Sequence, residues 1–227
     1  NKTIEEQYIQ KEKMLEENYN ILAKCLGDLP NNFNYEYKDK EGNIKQIKNI
    51  TPLEFKEKYL SINLDNMISV GSIKMFNKEF NKVYKKDNIE SVYNKNVVFL
   101  NLPITRLKEL AIKQLQNKIP VYIYCSMKKM RNFELSIMDS KLYNFKEVFN
   151  IEPLTKEEAL STYDIGTDHA MLITGVHLEA NKPVRWKIID SYGTENHTDG
   201  TYVMNDNYFE DFVLCTIIDK SFLTNEE

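Results

Sequence analysis

A chain of 227 residues, 42% hydrophobic and 28% charged, is long enough to bury a core as one large domain or two small ones. Its formal net charge of −4 implies no basic face, which argues against nucleic acid as a partner. No apolar run approaches the roughly 18 residues of a bilayer-spanning helix. Three cysteines, Cys25, Cys125 and Cys215, stand far apart. Their odd number and unpaired spacing argue against a disulfide framework or a zinc knuckle and fit a reducing, cytoplasmic setting. The chain opens on Asn1 without a charged and then apolar leader, so no signal peptide is expected and further sequence upstream is.

Residues Thr3 to Leu26 form the first predicted helix. Thr3 and Glu6 have capping-box spacing, and Ile4, Tyr8, Leu15, Tyr19, Leu22 and Leu26 follow the helical period up to a stop at Gly27 and Pro30. Cys25 falls on the apolar side of this helix and is expected in a core. "FNYEY", Phe33 to Tyr37, alternates as a half-buried strand does, and "KDKEGN" turns the chain toward a return strand holding Ile44 and Ile47. Thr51, Pro52 and Glu54 open a helix running to about Tyr59. The stretch from Ser61 to Tyr93 reads as irregular with short strands. A strand is predicted over Val97–Leu102, and a helix over Ile104–Lys118 with Leu107, Leu110, Ala111 and Leu115 on one face. "PVYIYCSM" then reads as a buried strand. Lys128 to Asp164 is mixed, with helix around Thr155–Leu160. Strands follow over His169–Leu178, Val184–Ser191, Thr201–Met204 and Val213–Asp219, and Asn207–Phe212 reads as a helical turn. Helices lead and strands dominate the end, so the fold class is α+β, with residues 1–95 a helical and hairpin region and 96–227 a β-rich lobe.

The chemistry concentrates in "TDHAMLITGVHLEANKPVRWKIIDSYGT", Thr167 to Thr194. His169 opens one apolar strand and Asp190 closes the next. In an antiparallel hairpin, residues equidistant from the turn face each other. The midpoint between His169 and Asp190 falls one residue short of the middle of the loop, between Ala180 and Asn181, so the two side chains are expected side by side. A carboxylate next to an imidazole fixes its tautomer and ring orientation, which is what a general base needs, and Tyr192 would cover the contact. On the residues alone, a second reading stays open. A histidine at a strand end is commonly structural, and an aspartate before Ser-x-Gly commonly forms a turn. A metal site from Asp168, His169 and Asp190 uses suitable ligand types, but no compact ligand motif supports it, and no cofactor is implied. His177 falls toward the loop end of the hairpin, and His197 in a polar turn, "GTENHTDG". "KKMR" reads as a solvated surface run.

The blocks "HAMLITGV", "PVRWKIIDSYG" and "TYVMNDNYFEDFV" together resemble the bleomycin hydrolase and aminopeptidase C family of papain-like cysteine peptidases. "EEQYIQKEKMLEENYNILAKCLGDLPNNFNYEYKDKEG", "TPLEFKEKY", "INLDNMISV", "LNLPITRLKELAIKQLQNKIPV" and "IMDSKLYNF" extend the likeness over essentially the whole chain. The resemblance implies the C-terminal half of such an enzyme: a papain-like second lobe, β-rich and histidine-bearing, with additional helices. By motif, His169 matches the catalytic histidine and Asp190 the catalytic asparagine. The segment that supplies the nucleophilic cysteine and the oxyanion-hole glutamine has no counterpart in residues 1–227. Cys125 matches a family cysteine that is not the nucleophile, and Cys215 lies in the last apolar strand. Three departures stand out: Asp190 for asparagine, Tyr192 for the shielding tryptophan and Asp168 for threonine. The implied function is hydrolysis of N-terminal peptide bonds on a peptide substrate, with the thiol supplied from elsewhere. The alternative is an inactive family relic kept for binding or assembly. The implied partners are a Cys-bearing N-terminal half or further copies of the chain, since family members form hexamers.

Overall fold

The computed structural model describes residues 2–60, 63–86, 97–193 and 200–227; the predicted turn holding His197 lies outside them. The chain forms two compact units, Asn1–Asn63 and Leu64–Glu227.

The first unit holds α1 (Ile4–Leu26), β1 (Phe33–Lys38), β2 (Ile44–Ile50) and α2 (Pro52–Tyr59). Both helices begin with the expected capping boxes, Thr3 with Glu6 and Thr51 with Glu54, each satisfying backbone donors at the helix start reciprocally. Helix α1 ends at Gly27, whose φ of 87° favours glycine. The antiparallel hairpin and α2 share an aromatic cluster. The Phe55 ring lies 5.5 Å from Phe33, 5.2 Å from Tyr35 and 5.2 Å from Tyr59. Helix α1 buries no residue, so its apolar stripe is exposed and Cys25 is exposed with it. That corrects the expectation of a core cysteine: periodicity marks an apolar face but not what covers it.

The second unit is built on a ten-stranded sheet. Its strands, in chain order, are β3 (Met67–Gly71), β4 (Lys82–Lys86), β5 (Val97–Asn101), β6 (Val121–Cys125), β7 (Arg131–Asn132), β8 (Ile137–Met138), β9 (His169–Glu179), β10 (Lys182–Ile189), β11 (Thr201–Asn205) and β12 (Val213–Asp219). In space they run β4-β5-β3-β12-β6-β9-β10-β11-β8-β7, mostly antiparallel, with β3–β5 and β8–β11 parallel. The chain's last strand therefore lies in the middle of the sheet. The compact unit also begins before residue 96, because β3 and β4 belong to the same sheet.

One sheet face carries the core. Val121, Ile123 and Cys125 on β6 pair with Ile173, Met171 and His169 on β9. Ile188 of β10 pairs with Ile173 on one side and Tyr202 of β11 on the other. Cross-strand partners share a face, so this row forms one continuous apolar layer. Helix α3 (Ile104–Gln116) packs Leu107, Leu110 and Ala111 into it, as its periodicity predicted, and α6 (Asp206–Phe212) adds Tyr208, Phe209 and Phe212. Two short helices, α4 (Phe145–Phe149) and α5 (Lys156–Ser161), fill the mixed region.

Polar groups fasten the helices to the sheet. Lys108 of α3, 7% exposed, donates to Asp206 at 2.6 Å and Glu210 at 2.7 Å, both on α6. Asp206 also accepts from Trp186 Nε1 at 3.1 Å, and the Trp186 and Phe209 rings stack at 4.7 Å. Gln114, buried, bridges the Pro120 and Ile217 carbonyls. The Tyr208 hydroxyl donates to Ser126 O at 2.9 Å, so α6 also pins the loop leaving β6.

Candidate active site

The site lies where β6 ends, β9 begins and β10 ends. His169 is the first residue of β9 and the register partner of Cys125, the last residue of β6. The preceding residue fixes this junction. The Asp168 carboxylate accepts from Met127 N at 2.7 Å and Ser126 Oγ at 3.3 Å, while its own N–H donates to Cys125 O at 3.1 Å. Asp168 thus clamps the start of β9 to the segment leaving β6. No group of three or more metal-ligating side chains is gathered among the described residues.

The hairpin register decides what faces His169. Ala180 and Asn181 both have positive φ, 49° and 64°, as the two-residue turn between antiparallel strands requires. Glu179 therefore pairs with Lys182, and at the far end Leu172 pairs with Ile189. Continued past its last pair, the ladder sets Asp190 beside Met171 and Tyr192 beside His169. The rings agree: Tyr192 stacks on His169 at 5.2 Å between centroids and 13° between planes. The expected face-to-face placement of His169 and Asp190 is thus displaced by two positions. They are diagonal neighbours on one face, and no hydrogen bond or ion pair joins them among the described residues. The loop midpoint expected from the sequence is the true one, so the small offset noted there is real.

Asp190 accepts from the backbone N–H of Tyr192 at 2.9 Å, closing the turn that brings the Tyr192 ring over the imidazole. It also faces Tyr202, fully buried on β11, whose phenol is pushed up to about 12 by burial and then by the Asp190 charge. Sequence reading missed Tyr202; its alternation with Met204 marks a core position, but its polar end has meaning only once β10 and β11 are in register.

His169 itself is partly covered, and its Nε2 is buried without a hydrogen-bond partner. A buried imidazole nitrogen without a hydrogen-bond partner is costly, and a catalytic role is one explanation for it. Cys125, beside it, is fully buried, and burial followed by the nearby Asp168 charge pushes its thiol up to about 12. It is a small hydrophobe at neutral pH. Cys215 is likewise held neutral by burial and lies 2.9 Å from Ser69 Oγ. His177, near the hairpin turn, is exposed beside Glu179 and stands apart from this group.

The family model of the Peptidase C1-like family matches residues 1–227. The chain belongs to that family. It is 34% identical to an aminopeptidase C of Lactobacillus delbrueckii subsp. lactis, over 99% of this chain and 51% of that protein. An aminopeptidase C of Streptococcus thermophilus is 33% identical over 96% of this chain and 50% of that protein. The crystal structure of PepW from Lactobacillus rhamnosis superimposes with a TM-score of 0.87 at 34% identity, covering 99% of this chain and 51% of that one. The chain spans about half the length of the curated relatives it matches, and the match corresponds to the C-terminal half of a papain-like aminopeptidase C.

Proposed function

We propose that this chain is the base-bearing half of a papain-like cysteine aminopeptidase, with the nucleophilic thiol supplied from outside residues 1–227. The observation that carries the reading is the state of His169. Tyr192 covers one face of its ring and Nε2 is enclosed, so Nδ1 is the nitrogen left to exchange a proton with an incoming group. In the forward step Nδ1 takes the thiol proton as sulfur attacks the carbonyl of the substrate's first peptide bond. That proton then passes to the leaving amine as the C–N bond breaks, and water hydrolyses the thioester with the same nitrogen as base. Asp190 orients the ring from the Nε2 side, a role that requires its carboxylate to turn from Tyr192 toward the imidazole. The relatives' name, aminopeptidase C, supports cleavage at a peptide N-terminus.

The test is complementation. The chain mixed with a polypeptide carrying the other half of the family fold should hydrolyse aminoacyl fluorogenic substrates, and the chain alone should not. His169→Ala should abolish the restored activity. A mixture that forms a stable complex yet stays inert favours a second reading, a family member kept for binding or assembly. One observation speaks for that alternative: Asp190 accepts from the Tyr192 backbone N–H rather than holding His169. In either case a Cys-bearing half or a second copy of the chain is expected to cover the His169 end of the sheet, and the substrate is a peptide. No cofactor enters the chemistry.

A further inference from the structure

We infer that the cavity walled by Met130, Leu154 and Ile165 takes a bulky apolar side chain from the departing part of the peptide substrate. The inference rests on the reading of His169 as the base and adds a specificity pocket to it.

The cavity holds about 480 Å3 and is lined mainly by apolar side chains. Its inner wall is buried: Ala159 of α5, Ile165, and Phe212 of α6. Its mouth carries Tyr143, Phe145, Ile151 and Leu154, all exposed. Apolar groups left open around a concave site are what a ligand would cover. A few polar groups, Lys128, Ser140 and Asp211 among them, line it too, the usual composition of a ligand pocket. The walls are held without an occupant. Lys156 of α5 donates to Glu210 O at 2.9 Å and Val213 O at 2.6 Å, fastening α5 to the end of α6 around Phe212. The Asp164 and Ile165 N–H groups both donate to Ala159 O, at 2.8 and 3.3 Å, and Asp139 N donates to Met130 O at 3.1 Å.

Continuity with the site names the occupant. One wall is the segment leaving β6, and another is the segment entering β9. Asp168 ties these two segments together beside the base, through Met127 N, and the Lys129–Asp164 ion pair ties them again at the cavity. Met130 follows Met127 by three residues and so stands within about 11 Å of the first tie, a distance an extended peptide spans in about three residues. Ser126, Met127, Asp168 and His169 do not line the cavity. The residue whose carbonyl the base serves therefore stops short of it. An aminopeptidase has one residue ahead of the bond it cuts, so only the departing part of the peptide reaches these walls.

The experiment labels methionine and isoleucine methyls with 13C in the full chain and titrates in the tripeptides Ala-Gly-Phe and Ala-Gly-Gly. Ala-Gly-Phe should shift Met130, Ile151 and Ile165 at a concentration roughly tenfold lower than Ala-Gly-Gly, the effect of burying one phenyl ring. Ala159→Phe fills the cavity and should abolish that preference. Leu154→Ser alters only an exposed wall and should weaken it several-fold, which keeps the test decisive where Ala159→Phe fails to fold. In the complemented enzyme, KM for Ala-Gly-Phe should be roughly tenfold below that for Ala-Gly-Gly, because a remote contact is made in the ground and transition states alike. If the methyls answer both tripeptides equally or not at all, or move only when the polypeptide carrying the other half is added, the cavity is a packing seam and the inference is wrong. A KM that ignores the phenyl ring in an active mixture also overturns it, whatever the methyls show, and leaves the reading of His169 standing. If the mixture is inert while Ala-Gly-Phe still moves the methyls, the base reading falls and the cavity remains a peptide site.

Discussion

Replacing Lys108 with methionine tests how the helical layer is held to the sheet behind the site. The lysine is 7% exposed, and its partners Asp206 and Glu210 are 23% and 51% exposed. Methionine keeps most of the apolar stem, so packing changes little. What is lost is one well-covered charge-assisted bond, about 1.5–3 kcal/mol, and one largely solvated pair, about 0.2–1 kcal/mol. Asp206 keeps the Trp186 N–H as a donor and gains some water, which offsets part of the loss. A net destabilisation of about 2 kcal/mol follows, or a melting temperature lower by roughly 4–8 °C for a domain of this size. Trp186 is the chain's single tryptophan and stacks beside this network, so its fluorescence in urea reports on this region directly. A double-mutant cycle with Asp206→Asn should return a coupling of about 1 kcal/mol or more. A Lys108→Met variant within about 0.5 kcal/mol of the parent, or a coupling near zero, would refute the reasoning. Replacing all three charged groups by apolar ones should cost less than removing the lysine alone, because no carboxylate is then left without its cation.

Glu227 is gripped at both oxygens by Arg106, at 2.7 and 2.8 Å, and its carboxyl is held down at about 2 by that guanidinium. A depressed carboxyl stabilises the fold above its unfolded value, so the advantage of the parent over Glu227→Gln should shrink as pH falls from the ordinary glutamate range toward about 2; a gap that stays constant through that window would dismiss the pair as a contributor. Native alkylation at neutral pH should reach the exposed Cys25 and spare Cys125 and Cys215, with all three modified only after denaturation, as intact mass would show; fast labelling of folded Cys125 would contradict its burial. At Gly71 an added methyl would sit 2.8 Å from the Phe99 ring, so Gly71→Ala should cost about 1–3 kcal/mol, and an unchanged denaturation midpoint would show that the ring moves aside freely.

Much of the fold is legible in the sequence because local chemistry and burial agree. Thr3, Thr51 and Thr155 each announce a helix with a glutamate three residues on, and all three boxes form. Leu107, Leu110 and Ala111 mark the buried face of α3 because that face meets a sheet. The same periodicity in α1 predicts a core for Cys25 and is wrong there, since amphipathicity names a face without its partner. The site is half legible. His169, Asp190 and Tyr192 stand out by motif and position, but their mutual placement does not follow from midpoint counting at a tolerance of one residue. In a two-stranded ladder that tolerance becomes two register positions, enough to exchange one facing residue for another. The place of Tyr202 beside Asp190 is silent because it depends on a third strand.

The turn at the far end of the hairpin governs the site. It fixes the pair Glu179–Lys182, and β9, with 11 residues, carries that register over about 35 Å to His169. Two irregularities intervene, between Pro183 and Arg185 and between Lys187 and Ile188. The first advances the pairing by one position, so that Arg185 meets His177; the second returns it, so that Ile189 meets Leu172 in the register set at the turn. Either irregularity alone would shift the Asp190–Tyr192 segment by one residue. A one-residue slip sends side chains to the opposite face. Asp190 would leave the core face it shares with Tyr202, and Tyr192 would leave the imidazole. The geometry around His169 is thus a property of the whole hairpin, in which two local defects cancel, rather than of the residues that touch it.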